Sequence, residues 1–385
     1  MLSFNYSIPT KIIFGPGKIK ELATEKLFGK KALIVISSGT SMKKNGYLDQ
    51  VIELLSKQGI ESTVFDKILP NPVKTHVMEG ALLARKAKCD FVIGLGGGSS
   101  IDSAKSIAVM ATNEGDYWDY ISGGTGKGLE VPNKPLPIVA ITTTAGTGTE
   151  ADPWTVITKE ETNEKIGFGY EETFPRLSIV DPELMLSVPR NLTIYQGFDA
   201  FFHAAEGVIA NISTPVSDLF ALKSIELINK SLPEAAKNGN NLEARTDVAL
   251  ANTLSGLVES TSSCVSEHSM EHALSAYHPN LPHGAGLILL SEAYFSFFSD
   301  KAPEQFKKIA KAMGKEEKPE NVVKAIHELK VRCQVENMKL ADFGIQYDEM
   351  EKFAKNAFDT MGGLFNLDRY KLSLEEVIKI YQAAY

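Results

Sequence analysis

Three short apolar runs in the first half of the chain, residues 32–36 (ALIVI), 91–95 (FVIGL) and 137–141 (PIVAI), each end at a cluster of glycine, serine or threonine. Runs this short and this rich in valine and isoleucine fit strands buried on both faces of a sheet. Residues 47–58 and 77–88, which lie between them, carry apolar side chains at helical spacing. Strand and helix in alternation imply a mostly parallel sheet, because parallel neighbours need a crossover long enough to hold a helix. After 177–189 (LSIVDPELMLSVP) the pattern changes, and residues 193–212, 215–229, 242–260 and 303–312 read as helices separated by loops around Pro233, Pro279 and Pro282. Pro215 and Pro303 suit the first turn of their helices, where a missing N–H costs nothing. A chain of 385 residues is long for one core. We therefore expect two domains, 1–188 (α/β) and 189–385 (all-α), with a cleft between them where a ligand sits.

Charge and cysteine usage narrow the class. A formal net charge of -8 argues against a nucleic-acid partner, which calls for a basic face. Cys89, Cys264 and Cys333 are widely spaced and odd in number, so they suit neither a disulfide framework nor a paired-cysteine zinc site, and buried thiols in a reducing compartment are expected. The first fifteen residues lack the basic region and apolar run of a secretory signal, and no stretch approaches the roughly 20 apolar residues of a membrane span. The expectation is a cytoplasmic protein with no membrane partner.

The run CDFVIGLGGGSSIDSAK (89–105) passes from a strand through Gly94, Gly96, Gly97 and Gly98 to Ser99, the expected N-cap of a helix carrying Ile101, Ala104 and Ile107. Consecutive glycines let backbone approach a ligand without Cβ clashes, and the N–H groups at a helix start favour a pyrophosphate. The spacing is not GxGxxG, and a tight strand-to-helix connection without a ligand would carry the same glycines. A second cluster, TTTAGTGTE (142–150), follows the next strand and falls on the same edge of the sheet, where open α/β sheets bind ligands.

Histidines make the second constellation. In GFDAFFHAAEG (197–207), Asp199 and His203 stand four apart on one helical face and could grip one ion. EHSMEHALSAYHPNLPHG (267–284) repeats the spacing with His268 and His272, and adds His283 on a proline-bounded loop. Carboxylate with imidazole suits a divalent first-row metal such as iron or zinc. Any one of these histidines alone would more often be a hydrogen-bonded structural residue; the two pairs together carry the argument. No HExxH or zinc-finger pattern is present. His76, His278 and His327 have no comparable partner, although His278 borders the loop.

Taken in order and spacing, GLGGGSSIDSAK, TTTAGTGTE, GFDAFFHAAEG and HALSAYHPNLPHG resemble the iron-containing (group III) alcohol dehydrogenase family, which includes butanol dehydrogenases, lactaldehyde reductases and glycerol dehydrogenases. The resemblance covers nearly the whole chain. It implies a Rossmann-like N-terminal domain and a helical C-terminal domain of the dehydroquinate synthase-like type, with hydride moving between NAD(P) and a small primary alcohol or aldehyde. By resemblance, Asp199, His203, His268 and His283 bind Fe2+ or Zn2+, and His272 lies beside nicotinamide and substrate. Asn71, Gly97, Gly98, Ser99, Asp102, Thr143, Thr144 and Thr147, with Lys165, match cofactor-contacting positions. Two departures stand out. The His272-to-His283 spacing is one residue longer than in shorter members. Where NAD-preferring members carry an aspartate after ALIVI, this chain has Ser37, Ser38 and Gly39, with Lys43 and Lys44 beyond, which resembles an NADP-preferring branch. His272, with an ordinary pKa near 6.5, could relay the proton released on oxidation or only pack against the nicotinamide. A homodimer is implied, with NADP as cofactor and NAD as the alternative. The rival readings are a dehydroquinate-synthase-like lyase, a glycerol-type polyol dehydrogenase and a catalytically silent cofactor-binding scaffold. The lyase would want a phosphate clamp of lysine and arginine near 268–283, and none is evident there.

Overall fold

The valine- and isoleucine-rich runs of the first half do form a parallel sheet in the computed structural model, which describes residues 3–385. Its strands are β1 (Lys11–Phe14), β2 (Lys31–Ser37), β3 (Glu61–Ile68), β4 (Phe91–Gly96), β5 (Ile138–Thr142) and, after the antiparallel pair β6 (Thr155–Lys159) and β7 (Glu164–Phe168), β8 (Leu177–Val180). The six-stranded order is β1-β8-β5-β4-β2-β3, all parallel. From the central pair, β2 leads outward to β3 on one side and β4 to β5 on the other. The order therefore reverses between β2 and β4, and ligands of open sheets bind at such a switch point, beyond the carboxyl ends of the strands.

Alternation along each strand supplies a core on each face. Leu33, Val35 and Val92 pack with Val77, Ala81 and Ala84 of α3 (Lys74–Ala87) and Ala104, Ile107 and Ala108 of α4 (Gly98–Thr112). Ala32, Ile34, Ile36 and Ile93 face the other way, toward Leu48, Val51 and Leu55 of α2 (Tyr47–Ser56), which follows the short α1 (Ser41–Lys44). The β6–β7 hairpin lay outside the sequence expectation: its strands are largely polar and half-exposed, so they give little apolar signal.

The described residues fall into two compact units. One holds residues 7–144 and Thr149–Val188, the other residues 3–6, Ala145–Gly148 and Pro189–Tyr385. The second unit is built of helices: α5 (Arg190–Ile209), α6 (Pro215–Lys237), α7 (Leu242–Ser262), α8 (Ser266–Tyr277), α9 (His283–Phe298), α10 (Pro303–Ala312), α11 (Asn321–Cys333), α12 (Met350–Phe365) and α13 (Leu374–Ala384). The tetrapeptide Ala145–Gly148 fits it closely, since a Cβ on Gly148 would meet the backbone nitrogen of Gly256 at 2.4 Å.

One expectation fails in α6. The loop foreseen at Pro233 is helix through Lys237. A proline inside a helix strands the carbonyl four residues back, here that of Asn229. Arg332 of α11 donates to that carbonyl at 2.7 Å, so a tertiary contact replaces the missing intrahelical bond. Among the described residues no helix is long and apolar enough to cross a membrane, and all three cysteines are free, Cys264 half-buried and the other two buried.

Candidate active site

From Gly197 to Ile209 α5 is buried all round, with Phe198, Phe201 and Phe202 among the largest enclosed side chains. Asp199 and His203 stand one turn apart on this segment, so their polar atoms must find partners inside the protein. On α8, His268 and His272 repeat the same spacing, and the helix is buried from Ser266 to Ala276. His283 opens α9, directly after Pro282, and Gly284 beside it permits a backbone approach that a Cβ would block at 1.9 Å from the Tyr195 carbonyl oxygen.

Asp199, His203, His268 and His283 converge. One ligand atom from each lies within 4.8 Å of all the others. Asp199 Oδ1 stands 3.7 Å from His203 Nδ1, 3.5 Å from His268 Nε2 and 3.4 Å from His283 Nε2. Asp199 Oδ1, His203 Nδ1 and His268 Nε2 are buried atoms with no hydrogen-bond partner. Buried polar atoms left unpaired are costly, and three of them aimed at one another fit a cation that would bind them all. Burial and the neighbouring His268 hold His203 down to about 3, so its imidazole is neutral, as a metal ligand must be. Burial works to raise the Asp199 carboxyl, but the charges of His203 and His283 keep it well below the carboxylate range.

The other unit carries the glycine-rich turn. Gly96 takes φ +145, and Gly97, not Ser99, is the N-cap of α4. The helix thus starts two residues earlier than expected. Ser99, inside its first turn, donates its hydroxyl to the Pro70 carbonyl. Thr143 N–H donates to the Gly96 carbonyl at 2.9 Å, and a Cβ on Gly97 would stand 3.0 Å from Thr144 Oγ1. Gly97, Gly98 and Ser99 beyond β4, Thr143 and Thr144 beyond β5, and Ser37, Ser38 and Gly39 at the end of β2 therefore share the carboxyl edge of the sheet on both sides of its switch point. Asp102 is buried, and its oxygens accept from Thr149 Oγ1 at 2.7 Å and Val156 N–H at 3.0 Å. Burial pushes its carboxyl up to about 6. Asn71 is half-buried just before α3, Lys165 is buried in β7, and Thr147 sits in the tetrapeptide that joins the helical unit. Lys43 is engaged with Asp66 at 2.5 Å.

Comparison with known proteins bears on both units. The model of the iron-containing alcohol dehydrogenases matches residues 9–182, and that of the family's C-terminal part matches residues 193–385. The chain belongs to this family. A 1,3-propanediol dehydrogenase of Klebsiella pneumoniae is 34% identical, with 99% of each chain covered. An NAD-dependent methanol dehydrogenase of Bacillus methanolicus is 33% identical over 92% of this chain and 93% of its own. The crystal structure of an archaeal halo-thermophilic alcohol dehydrogenase from a Red Sea brine pool superposes with a TM-score of 0.95 at 31% identity, over the whole of both chains. The protein is thus an NAD(P)-dependent alcohol dehydrogenase using a divalent metal, iron in the family at large, and the lyase and silent-scaffold alternatives give way.

Around the four converging residues this dehydrogenase carries carboxylates that sequence reasoning passed over. Glu206 Oε1 is hydrogen-bonded to His268 Nδ1, and Glu271 Oε2 to His283 Nδ1. Both glutamates are fully buried, and in each case the bonded nitrogen is the one turned away from Asp199. A carboxylate on the far nitrogen fixes the tautomer and ring plane of a ligand imidazole. The signal was present: Glu206 stands three residues after His203 and Glu271 three after His268, on the same helical faces. Glu267 is also fully buried, and neither of its oxygens has a hydrogen-bond partner. Burial and then the nearby Glu206 push its carboxyl well above the ordinary range, so it is a neutral acid.

His272 lies outside the four. Its ring is 5.2 Å from that of His283, and Nδ1 stands 2.8 Å from Met361 Sδ. Met361 marks a break in α12, with φ -127 and ψ 35, just before Gly362 and Gly363. His278 bonds Glu349 at 3.0 Å and so ties down the loop that leads to His283. In the sheet unit, sequence reasoning also missed Lys105, fully buried, whose ammonium meets Thr149 Oγ1, the Asp152 carboxylate and the carbonyls of Asp152 and Trp154 at 2.6 to 3.1 Å.

Proposed function

We propose that the enzyme interconverts small primary alcohols and aldehydes with NADP as the preferred cofactor and NAD as the poorer one, and that Asp199, His203, His268 and His283 hold its divalent metal, Fe2+ with Zn2+ as the alternative. The observation that carries this reading is the group of three buried, unpartnered ligand atoms that face one another. When bound, such a cation supplies Lewis acidity to the alcohol or carbonyl oxygen, and the nicotinamide supplies the hydride acceptor or donor. The protein's own residues do the rest. Glu206 and Glu271 hold the Nδ1 atoms of His268 and His283, which fixes the ring planes and turns Nε2 toward Asp199. The buried helices exclude water from the site. His272, with Nδ1 turned to the Met361 thioether, takes up or returns the proton of the hydroxyl at Nε2.

For the cofactor, Gly97, Gly98 and Ser99 offer the first N–H groups of α4 to the pyrophosphate, and Thr143, Thr144, Asn71, Asp102 and Lys165 of the same unit complete the binding surface. NADP preference draws its support from Ser37, Ser38 and Gly39. These donors tolerate a 2′-phosphate that an aspartate there would repel. Lys44 adds positive charge, whereas Lys43 is already committed to Asp66. We place the enzyme in the cytoplasm, consistent with its three free thiols, read 1–188 and 189–385 as its two domains, and expect a homodimer. The open edge of β1 at the end of the sheet and the exposed Phe4 and Tyr6 support the last point.

One experiment tests the core of this. Protein purified without chelators is assayed for bound metal, stripped, and reloaded with Fe2+ or Zn2+. The kcat/KM on butyraldehyde is then measured with NADPH and with NADH. One metal per chain, activity returning with the metal, and a higher value for NADPH are expected. Stoichiometric metal in a His268→Ala variant would overturn the ligand assignment, and a clearly higher kcat/KM with NADH would overturn the cofactor assignment.

A further inference from the structure

Apart from the residues assigned to metal and cofactor, the sheet unit holds a pocket of about 650 Å³. It lies between the segment that follows α4, from Tyr120 to Lys134, and the end of the β6–β7 hairpin where Trp154 leads into β6 and Phe168 closes β7. Asn71 and Lys165, assigned to the cofactor, belong with the other end of that hairpin: Thr158 pairs with Lys165 across the ladder and donates its N–H at 2.8 Å to the carbonyl of Pro72, next to Asn71. Four aromatic side chains line the pocket, Tyr120, Trp154, Phe168 and Tyr170. Phe168 and Tyr170 meet edge-on, with centroids 5.6 Å apart and planes at 65°. Trp154 is 37% exposed although its main chain is anchored in the interior, where its N–H donates to Asp152 Oδ1 and its carbonyl accepts from Lys105 Nζ, both at 2.6 Å. Gly169 leaves room for the indole, since a Cβ there would stand 2.9 Å from Trp154 Cε3. The ring is thus held in place while part of it stays open to solvent.

The charges around these rings select the occupant. Glu130 and Glu172 line the same pocket against a single ammonium, that of Lys134. Lys134 is 80% exposed and its Nζ stands 4.0 Å from Glu172 Oε1, a surface pair that contributes little and yields readily to a competing cation. Burial and then the charge of Glu172 push the Tyr170 hydroxyl up to about 12. The field that resists a phenolate there favours positive charge. Aromatic faces are themselves partially negative and attract cations, most strongly when water is displaced. An anion meets repulsion from both rings and carboxylates, and a neutral apolar molecule gains only burial. We propose that this pocket binds a small organic cation, an alkylated or quaternary ammonium, at a site separate from those of metal and cofactor. The inference is independent of which residues hold the metal.

The test titrates the full-length enzyme with acetylcholine and with 3,3-dimethylbutyl acetate, which has the same shape but carries carbon in place of the charged nitrogen. Binding is read by calorimetry and by the emission of Trp154, which shares the chain with one other tryptophan, the buried Trp118. The titrations are repeated in Trp154→Leu, in the double variant Glu130→Gln/Glu172→Gln, and with saturating NADP. Acetylcholine should bind the wild type about tenfold more tightly than the neutral ester, the scale of a partly desolvated cation–π contact. Trp154→Leu should lose that preference and the glutamine pair should weaken acetylcholine several-fold, both with aldehyde reduction unchanged. NADP should leave the affinity as it was. Equal affinity for the two esters overturns the proposal and makes the pocket an apolar hollow. So does the absence of saturable acetylcholine binding, or undiminished binding in Trp154→Leu. Displacement by NADP also overturns it, because the cation would then be in the cofactor site. Should Trp154→Leu fail to fold, the glutamine pair decides, and an undiminished affinity there is equally fatal.

Discussion

A single carboxylate can set how well an imidazole waits for a metal. Glu271 bonds the far nitrogen of His283, the one ligand histidine that is not buried within a helix but opens one after a loop. Glu271→Gln keeps the shape and removes the charge, so metal affinity should fall about 10- to 100-fold. Competition with a chelator would measure this, and an unchanged affinity would show the contact to be idle. His272 is tested differently. His272→Phe should retain metal and cofactor, lose most turnover, and lose the limb of the pH–rate profile near neutrality; wild-type turnover with an unchanged profile would make His272 a pocket wall. The four converging side chains were legible in the sequence because residues four apart on a helix share a face, and two such pairs with a His-Gly loop are rarely accidental. Glu206 and Glu271 were not, although they lie in the same motifs. A glutamate on a helix is ordinarily a solvated residue, and only the packing reveals that these are buried.

At the level of elements, the sequence announced strands where burial on both faces demands unbroken apolar runs, as in β2, β4 and β5. It was silent on β6 and β7, whose stability comes from partners distant in sequence: Val156 N–H to the Asp102 carboxylate and Thr155 Oγ1 to the Asp102 carbonyl. The continuation of α6 past Pro233 was hidden for the same reason, because the compensating group is on another helix. This makes a double-mutant cycle informative. Arg332→Leu leaves the Asn229 carbonyl without its donor and should destabilise by about 1–2 kcal/mol. Pro233→Ala restores the intrahelical N–H and should recover most of that loss in the double variant, giving a coupling well away from additivity. Denaturant unfolding of the four proteins measures it, and simple additivity would mean that the guanidinium matters for some other reason. Ser99 shows a smaller version of the same lesson. It has the right chemistry for a cap, but Gly97 reaches the extended conformation first and the helix begins ahead of it.

For the molecule as a whole, buried acids shape the dependence of stability on pH. Burial pushes the Asp368 carboxyl up to about 7, although Ser266 and Tyr294 donate to it. An acid whose folded pKa lies above its unfolded value, near 3.9, contributes fully below the unfolded value, and that contribution drains away as pH rises through the folded one. From pH 5 to pH 8 the wild type should therefore lose stability relative to Asp368→Asn, and parallel Tm curves for the two would refute the assignment. The two-unit organisation has a different consequence. Ala145–Gly148 belongs with the helices, yet it is translated some forty residues before Pro189 and about a hundred before Gly256, the residue against which Gly148 fits. Neither unit is a continuous stretch of chain. On the ribosome, the strand β5 emerges with its tail already reserved for a helix not yet made, so the sheet unit cannot finish and be set aside. A gene cut at Pro189 would accordingly give two fragments, one carrying a tetrapeptide with nothing to grip and the other with a gap where that tetrapeptide belongs.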